Sequence, residues 1–417
     1  MPASADTLAA ADLLRVATAG HVDDGKSTLI GRLLVDTRQV LEDQLDALER
    51  SRRERGRDEI DLAHLTDGLR AERERGITID VAYRYFATAH RRFILADTPG
   101  HVEYTRNMVT GASTADVSVV LVDASRGIAE QTRRHTAISA LLHVPRIVLC
   151  VNKMDLVDYD ETRFAALAAE WARFARELGA AATHAVPISA LRGDNVVERS
   201  PRMPWYAGPP LLELLENVPP ERRDGGGVRL PVQTIVRGDV TAFVAGRLER
   251  GTLYPGDELA VVPGGERVRV RSVRVGHDEL DAAAAPRSIT VALDSAGDLR
   301  RGDLLADPDD APEPRSELAA RVCWLHEAGV RPGAVYALKH TTRWTRARVT
   351  SISSRLDVTT LAGHPDPGAL GLNDLAEVRL ALEAPVAADP YAACRATGSF
   401  VLVDEDSHAT VAAGMVL

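Results

Sequence analysis

Cysteine is scarce in this 417-residue chain: Cys150, Cys323 and Cys394 stand far apart, with no C-x-x-C pair. That spacing excludes a disulfide framework and a zinc knuckle, and it suits a reducing compartment, so a cytoplasmic location is expected. No apolar run approaches the roughly 18 residues that span a bilayer. The opening MPASADTLAAADLLRV also lacks the basic stretch and apolar core of a secretory signal, so no membrane partner is expected. A formal net charge of -10 argues against nucleic acid as the main partner. The sharpest shortage is lysine: of 50 basic residues, all but Lys26, Lys153 and Lys339 are arginine. A lysine in such a chain marks a place where a compact ammonium on a flexible stem is required.

What is present falls into two regimes. Up to about residue 218, short apolar runs (LLRVATA at 13–19, FILA at 93–96, VSVVLVD at 117–123, RIVLCVN at 146–152) alternate with helical patterns. That alternation predicts βαβ units and a mostly parallel sheet with helices on both faces. After the linker-like ERRDGGG (221–227), closely spaced strands and turns such as YPGD and VPGGE take over, with a second break at DPDDAPEPRSE (307–317). Compact strand spacing of this kind predicts all-β barrels. The expected layout is a tail over 1–12, an α/β domain over 13–222, and two barrel domains over 228–310 and 316–417.

The first of these regions carries five elements in order. GHVDDGKS (20–27) matches the loop that wraps nucleotide phosphates with backbone N–H groups and the start of a helix. Gly20, His21, Val22, Asp23, Asp24, Gly25, Lys26, Ser27 and Thr28 therefore form the expected phosphate site. Lys26 is the catalytic charge on the outer phosphates, and Ser27 is a Mg²⁺ ligand. ERERGITID (72–80) offers Thr78 as a Mg²⁺ ligand that closes only over a terminal phosphate. DTPGH adds Asp97 (to Mg²⁺ through a water), Thr98, Pro99, Gly100 (N–H to the terminal phosphate) and His101 (orienting the attacking water). NKMD adds Asn152, Lys153, Met154 and Asp155. The Asp155 carboxylate can accept from the N1–H and exocyclic amine of guanine together, and adenine would leave it unpaired. ISALRGDNV (188–196) supplies N–H groups at Ser189, Ala190 and Leu191 for the guanine O6. Asn152 is expected on the other edge of the base, with the Lys153 stem along the ring. The substrate expected from this set is GTP.

With these motifs in order, the chain resembles the GTPases of the elongation factor Tu superfamily. Its finer features resemble the large, GTP-hydrolysing subunits of sulfate adenylyltransferases: DDGKSTLIGRLLVDT, DLAHLTDGLRAERERGITIDVAYRYF, ADTPGHVEYTRNMVTGASTADV and DPYAACRATGSFVLVDEDSHATVAAGM (389–415). The resemblance spans about 13–417 and is weakest over 265–315. It implies a heterodimer, alone or within a higher assembly, with a small catalytic subunit. That partner makes adenosine 5′-phosphosulfate from ATP and sulfate, an uphill step driven by GTP hydrolysis on the large subunit. The alternative within the same superfamily is a translation factor delivering aminoacyl-tRNA. The chain departs from these relatives at HVE (101–103), where they often carry HEQ.

Two carboxylates in a phosphate loop need explaining. Asp24 is expected to face solvent or a switch segment. Asp23 matches the position at which related translational GTPases hold a monovalent cation such as K⁺ against the phosphates, the alternative being a plain structural role.

Overall fold

The computed structural model describes residues 13–40, 43, 46, 50, 62, 80–101, 104–180, 183–219, 225–237, 242–295, 297–358 and 360–417. The expected tail over 1–12 and the switch residue Thr78 lie outside the described residues. The chain divides into two compact units, one of residues 1–221 with 358–361, the other of 222–357 with 362–417.

In the first unit the strands are β1 (Leu13–Gly20), β2 (Ala82–Ala87), β3 (Arg92–Asp97), β4 (Val117–Asp123), β5 (Arg146–Asn152) and β6 (Thr183–Pro187). They form one sheet in the order β2-β3-β1-β4-β5-β6, all parallel except the edge strand β2. Every residue of β4 is buried, as its unbroken apolar run requires of a strand covered on both faces. Among the described residues the helices that link and cover the strands include α1 (Lys26–Asp36), α2 (Thr105–Ser113), α3 (Glu130–Leu141) and α4 (Glu161–Glu177). The start of α4 is set by Asp160, whose carboxylate accepts the Thr162 N–H at 2.9 Å. Leu29, Ile30 and Leu33 of α1 pack with Leu14, Val16, Leu95, Val119, Leu121 and Val148 of the sheet.

The second unit holds two closed barrels. In the first, strands β7 (Arg229–Arg237), β8 (Ala242–Leu248), β10 (Glu258–Val262), β11 (Arg267–Val275), β14 (Arg287–Leu293) and β15 (Leu304–Ala306) close where β10 pairs with β11, and the short β9 (Thr252–Leu253), β12 (Asp278–Leu280) and β13 (Ala283–Ala284) lie outside this ring. In the second, β16 (Pro314–Trp324), β17 (Val335–His340), β18 (Arg343–Leu356), β20 (Leu375–Ala387), β21 (Ser399–Val403) and β22 (Thr410–Val416) close where β17 pairs with β18, with the short β19 (Gly363–Pro365) added beside β18. Alternating burial, as in RVRVR of β11, lets one side of each strand fill its barrel while arginines face out. Closure leaves the strands of both barrels without an unpaired ladder edge. Among the described residues no helix is long and apolar enough to cross a membrane.

Candidate functional site

Four loops gather at the carboxyl edge of the parallel strands, following β1, β3, β5 and β6, where an open α/β sheet forms its ligand crevice. Strand register fixes their proximity: Thr18 lies opposite Asp97, Gly20 opposite Leu121, and Asp123 opposite Asn152. Gly25 caps α1 at φ 91°, where a Cβ would collide with the Asn152 side chain. Lys26, buried at the first turn of α1, donates to Gly20 O at 3.1 Å and His21 O at 2.8 Å. Burial lowers its pKa from the ordinary lysine value, against the pull of Asp97 and Asp24. At Gly100 a Cβ would stand 2.5 Å from Lys26 Nζ and 2.9 Å from Val22 N, so the 97–101 loop lies against the phosphate loop by its bare backbone. Thr98 and Pro99 are buried beneath it, while His101 is exposed with its ring 6.0 Å from that of Tyr104.

Asp24 takes a place opposite to the one expected. Asp24 is 4% exposed, and its Oδ2 accepts the His21 N–H at 2.7 Å, so it closes the loop from inside. Asp23 adopts φ 68°, and its side chain is 66% exposed, 3.9 Å from Arg126. The turn at Asp23 swings its carboxylate outward and carries Asp24 into the loop. Burial pushes the Asp24 pKa up to about 6, with Lys26 opposing. A raised carboxylate pKa means the folded state binds the proton more tightly, so this group adds stability as pH falls from above 6 towards 4. The shift corresponds to about 3 kcal/mol. Asp24→Asn, which keeps an acceptor for His21, should raise the urea midpoint of the nucleotide-free protein at pH 7.5. Its advantage over the wild type should shrink as pH falls through 6 and vanish only below the unfolded value of about 3.9; an equal midpoint at pH 7.5 would show that Asp24 is not strained by burial.

Two of the residues expected to hold Mg²⁺ converge, Ser27 Oγ lying 3.2 Å from Asp97 Oδ2, and Thr18 Oγ1 donates to the other Asp97 oxygen at 3.3 Å. A hydroxyl beside a buried carboxylate is a hard oxygen set that fits Mg²⁺ sharing its shell with phosphates.

At the base end, Asp155 Oδ1 is buried and meets no hydrogen-bond donor among the described residues. A buried, unpaired carboxylate oxygen is costly unless a ligand supplies the donor. Asn152, 2% exposed, is placed differently from expectation. Its Nδ2 donates to Asp24 O at 2.8 Å and its Oδ1 accepts the Ala190 N–H at 2.9 Å. It thus staples the phosphate loop to the 188–191 loop, and one amide hydrogen is left for the base. The Ala190 N–H is therefore taken, and the Ser189 N–H goes to Asp194 O at 3.1 Å, so neither is offered to the guanine O6. The Leu191 N–H is the one of the three for which no protein acceptor stands among the described residues. Arg32 donates to the carbonyls of Ala190 and Leu191 and holds this loop to α1. Met154 is buried, its N–H donating to Ile188 O at 3.2 Å. Lys153 adopts φ 61° and its Nζ meets Asp123 Oδ2 at 2.8 Å, which lays the stem along this side of the pocket.

Two residues that motif reading missed support the site. Asp123 anchors Lys153; burial raises its pKa, but donors from Lys153 and Ser125 overcome this and hold it below the ordinary carboxylate range. The signal was a single charge ending the apolar run VSVVLVD. His135 of α3 accepts the Gly20 N–H at Nδ1, 2.9 Å away. Fully buried and close to Lys26, it has its pKa driven down to about 3. A neutral ring that accepts at Nδ1 carries its proton at Nε2, 2.8 Å from the Gln131 carboxamide, whose oxygen is the group able to accept it.

Comparison with known proteins places matching sequence at both ends of the chain. The elongation factor Tu GTP binding domain model matches residues 11–221, and the GTP-eEF1A C-terminal domain-like model matches 317–417. The bifunctional enzyme CysN/CysC of Mycobacterium tuberculosis (strain ATCC 25618 / H37Rv) is 48% identical over 412 residues, covering 97% of this chain and 67% of its own length. Sulfate adenylyltransferase subunit 1 of Laribacter hongkongensis is 46% identical over 414 residues, covering 97% of this chain and 85% of its own. A crystal structure of Sup35 with GDP aligns over 98% of this chain and 95% of its own at 22% identity, with a TM-score of 0.45, too slight a likeness to argue from.

Proposed function

We infer the function of this chain from its family: it belongs to the sulfate adenylyltransferase subunit 1 family of elongation factor Tu-type GTPases. It is the GTPase subunit of a sulfate adenylyltransferase, and this reading is favoured over a translation factor that delivers aminoacyl-tRNA. The observation that carries the choice of nucleotide is the buried Asp155 Oδ1, which guanine satisfies through N1–H and its amine and adenine does not.

In this reading Lys26 turns its ammonium from the loop carbonyls to the outer phosphates, and the Gly100 N–H meets the terminal one. His101, at the exposed end of its loop, orients the attacking water. The Leu191 N–H meets the guanine O6. Ser27 and Asp97, with Thr78, would hold Mg²⁺, which supplies charge neutralisation between the outer phosphates. A monovalent cation such as K⁺ beside Asp23 extends the reading on charge grounds: a carboxylate next to phosphates needs a counter-charge, and Arg126 at 3.9 Å supplies part of it. We read a GTPase domain over 13–222 and one domain per barrel, 228–310 and 316–417. Three buried cysteines, none of them in a disulfide among the described residues, suit a reducing cytoplasm.

The partner is a small catalytic subunit that joins ATP to sulfate, in a heterodimer or a larger assembly, with neither nucleic acid nor membrane required. Coupling demands that the GTP and GDP forms bind or shape that partner differently. When the chain is mixed with such a subunit, ATP and sulfate, pyrophosphate release should rise on addition of GTP, and Lys26→Ala should abolish the rise. A rate indifferent to GTP would overturn the coupling, and retention of aminoacyl-tRNA by the GTP form would favour the translation reading.

A further inference from the structure

Asp155 must stand in register with the base, yet it sits in an awkward stretch of backbone. It lies in the 3₁₀ turn Met154–Val157, bounded by three non-glycine residues in the left-handed region: Lys153 (φ 61°), Asp158 (φ 51°) and Tyr159 (φ 56°). Such conformations persist where surrounding contacts over-determine them. Here the contacts converge on Tyr159. Its N–H donates to Met154 O at 2.9 Å, and its carbonyl accepts from Trp205 Nε1 at 3.1 Å. Its hydroxyl donates to Asp194 Oδ2 at 2.9 Å while accepting from Arg202 Nη1 at 3.0 Å. Asp194 is itself tied down, its Oδ1 accepting from Ser200 Oγ at 2.6 Å. Its carbonyl receives the Ser189 N–H at 3.1 Å.

The Tyr159–Asp194 bond therefore joins the two loops that face each other across the base, one carrying the orphan oxygen of Asp155 and the other carrying Leu191. We propose that Tyr159 and Asp194 are positioning residues for guanine selection: their hydrogen bond sets the distance between the acceptor and donor sides of the base pocket. The inference rests on the GTP reading above. Neither residue touches the nucleotide, so their effect reaches it through Asp155 and the 188–191 loop. Arg202, 3.3 Å from Asp194 Oδ2 and 5.6 Å from the Tyr159 ring, reinforces the same join.

The test compares GTP with inosine triphosphate, which lacks only the amine facing Asp155. For the purified chain and its Tyr159→Phe and Asp194→Asn variants, kcat/KM is measured with both nucleotides, together with thermal melting. The wild type should prefer GTP strongly. Both variants should lose about tenfold of that preference, the size of one hydrogen bond. A purely structural role would lower the melting temperature, or weaken both nucleotides alike, and leave the ratio unchanged. An unchanged ratio in both variants, with the wild type still selective, overturns the inference. A wild type that does not distinguish GTP from inosine triphosphate or ATP would instead overturn the proposed nucleotide.

Discussion

Asp155→Asn should cost GTP binding on the order of 10³-fold and move the preference to xanthosine triphosphate. Among the described residues of the pocket, the Asp155 carboxylate is the group whose buried oxygen is left for the ligand. A carboxamide still accepts from N1–H, but its amino group meets the amine of guanine donor to donor. Xanthine carries a carbonyl at that carbon, so the same amino group gains an acceptor. Asn152, Lys153 and Met154 have their own protein partners and need not move. Fluorescence titration with both nucleotides checks the result. Undiminished GTP affinity in the variant would remove Asp155 from the base pocket and leave the choice of nucleotide unexplained.

Asp389→Ala should destabilise the two-barrel unit by about 3 kcal/mol, the low end of the cost of a buried charge that loses its partner, because Arg229 keeps a second, half-exposed carboxylate, Asp310, at 3.4 Å. Arg229 of the first barrel is 1% exposed, and its Nε and Nη2 reach Asp389 Oδ2 and Oδ1 at 2.9 Å each. Thr397 also donates to Asp389 Oδ2, and the Thr397 carbonyl lies 2.7 Å from His340 Nε2. Burial alone would raise the Asp389 pKa; bonds from Arg229 and Thr397 overcome it and hold it below the ordinary carboxylate range. For a depressed pKa, the contribution is complete above the unfolded value of about 3.9 and fades as pH falls through the folded one. The difference between variant and wild type in urea should thus stay level from pH 7 to about 4.5. The double replacement Arg229→Met with Asp389→Leu should recover most of the loss, because it leaves no lone charge. A single variant as stable as the wild type would show that the pair does not bind the barrels together.

Much of this was legible in the sequence because it is local. A phosphate loop followed by a helix, DTPGH ending one strand and NKMD ending another all announce themselves within about ten residues, and the alternation of runs orders them along one sheet edge. What escaped reading depends on partners far away in the chain. Asn152 meets Asp24 across 128 residues, His135 meets Gly20 across 115, and Asp389 meets Arg229 across 160. The stretch beginning DPYAAC marked a family without showing that its first residue is one half of a buried clamp. The inward turn of Asp24 depended on a single left-handed residue, Asp23, which no alternation of polar and apolar positions encodes.

The imidazole that steadies the first peptide of the phosphate loop stays uncharged down to about pH 3. Mild acidification of the surroundings therefore leaves that tether intact. Acid stress would reach the nucleotide pocket first through the inward carboxyl group three residues from the tethered His21 amide, which takes up its proton near 6. The two ends of the loop thus answer differently to the same acidification: the imidazole stays neutral where the carboxyl group gains a proton.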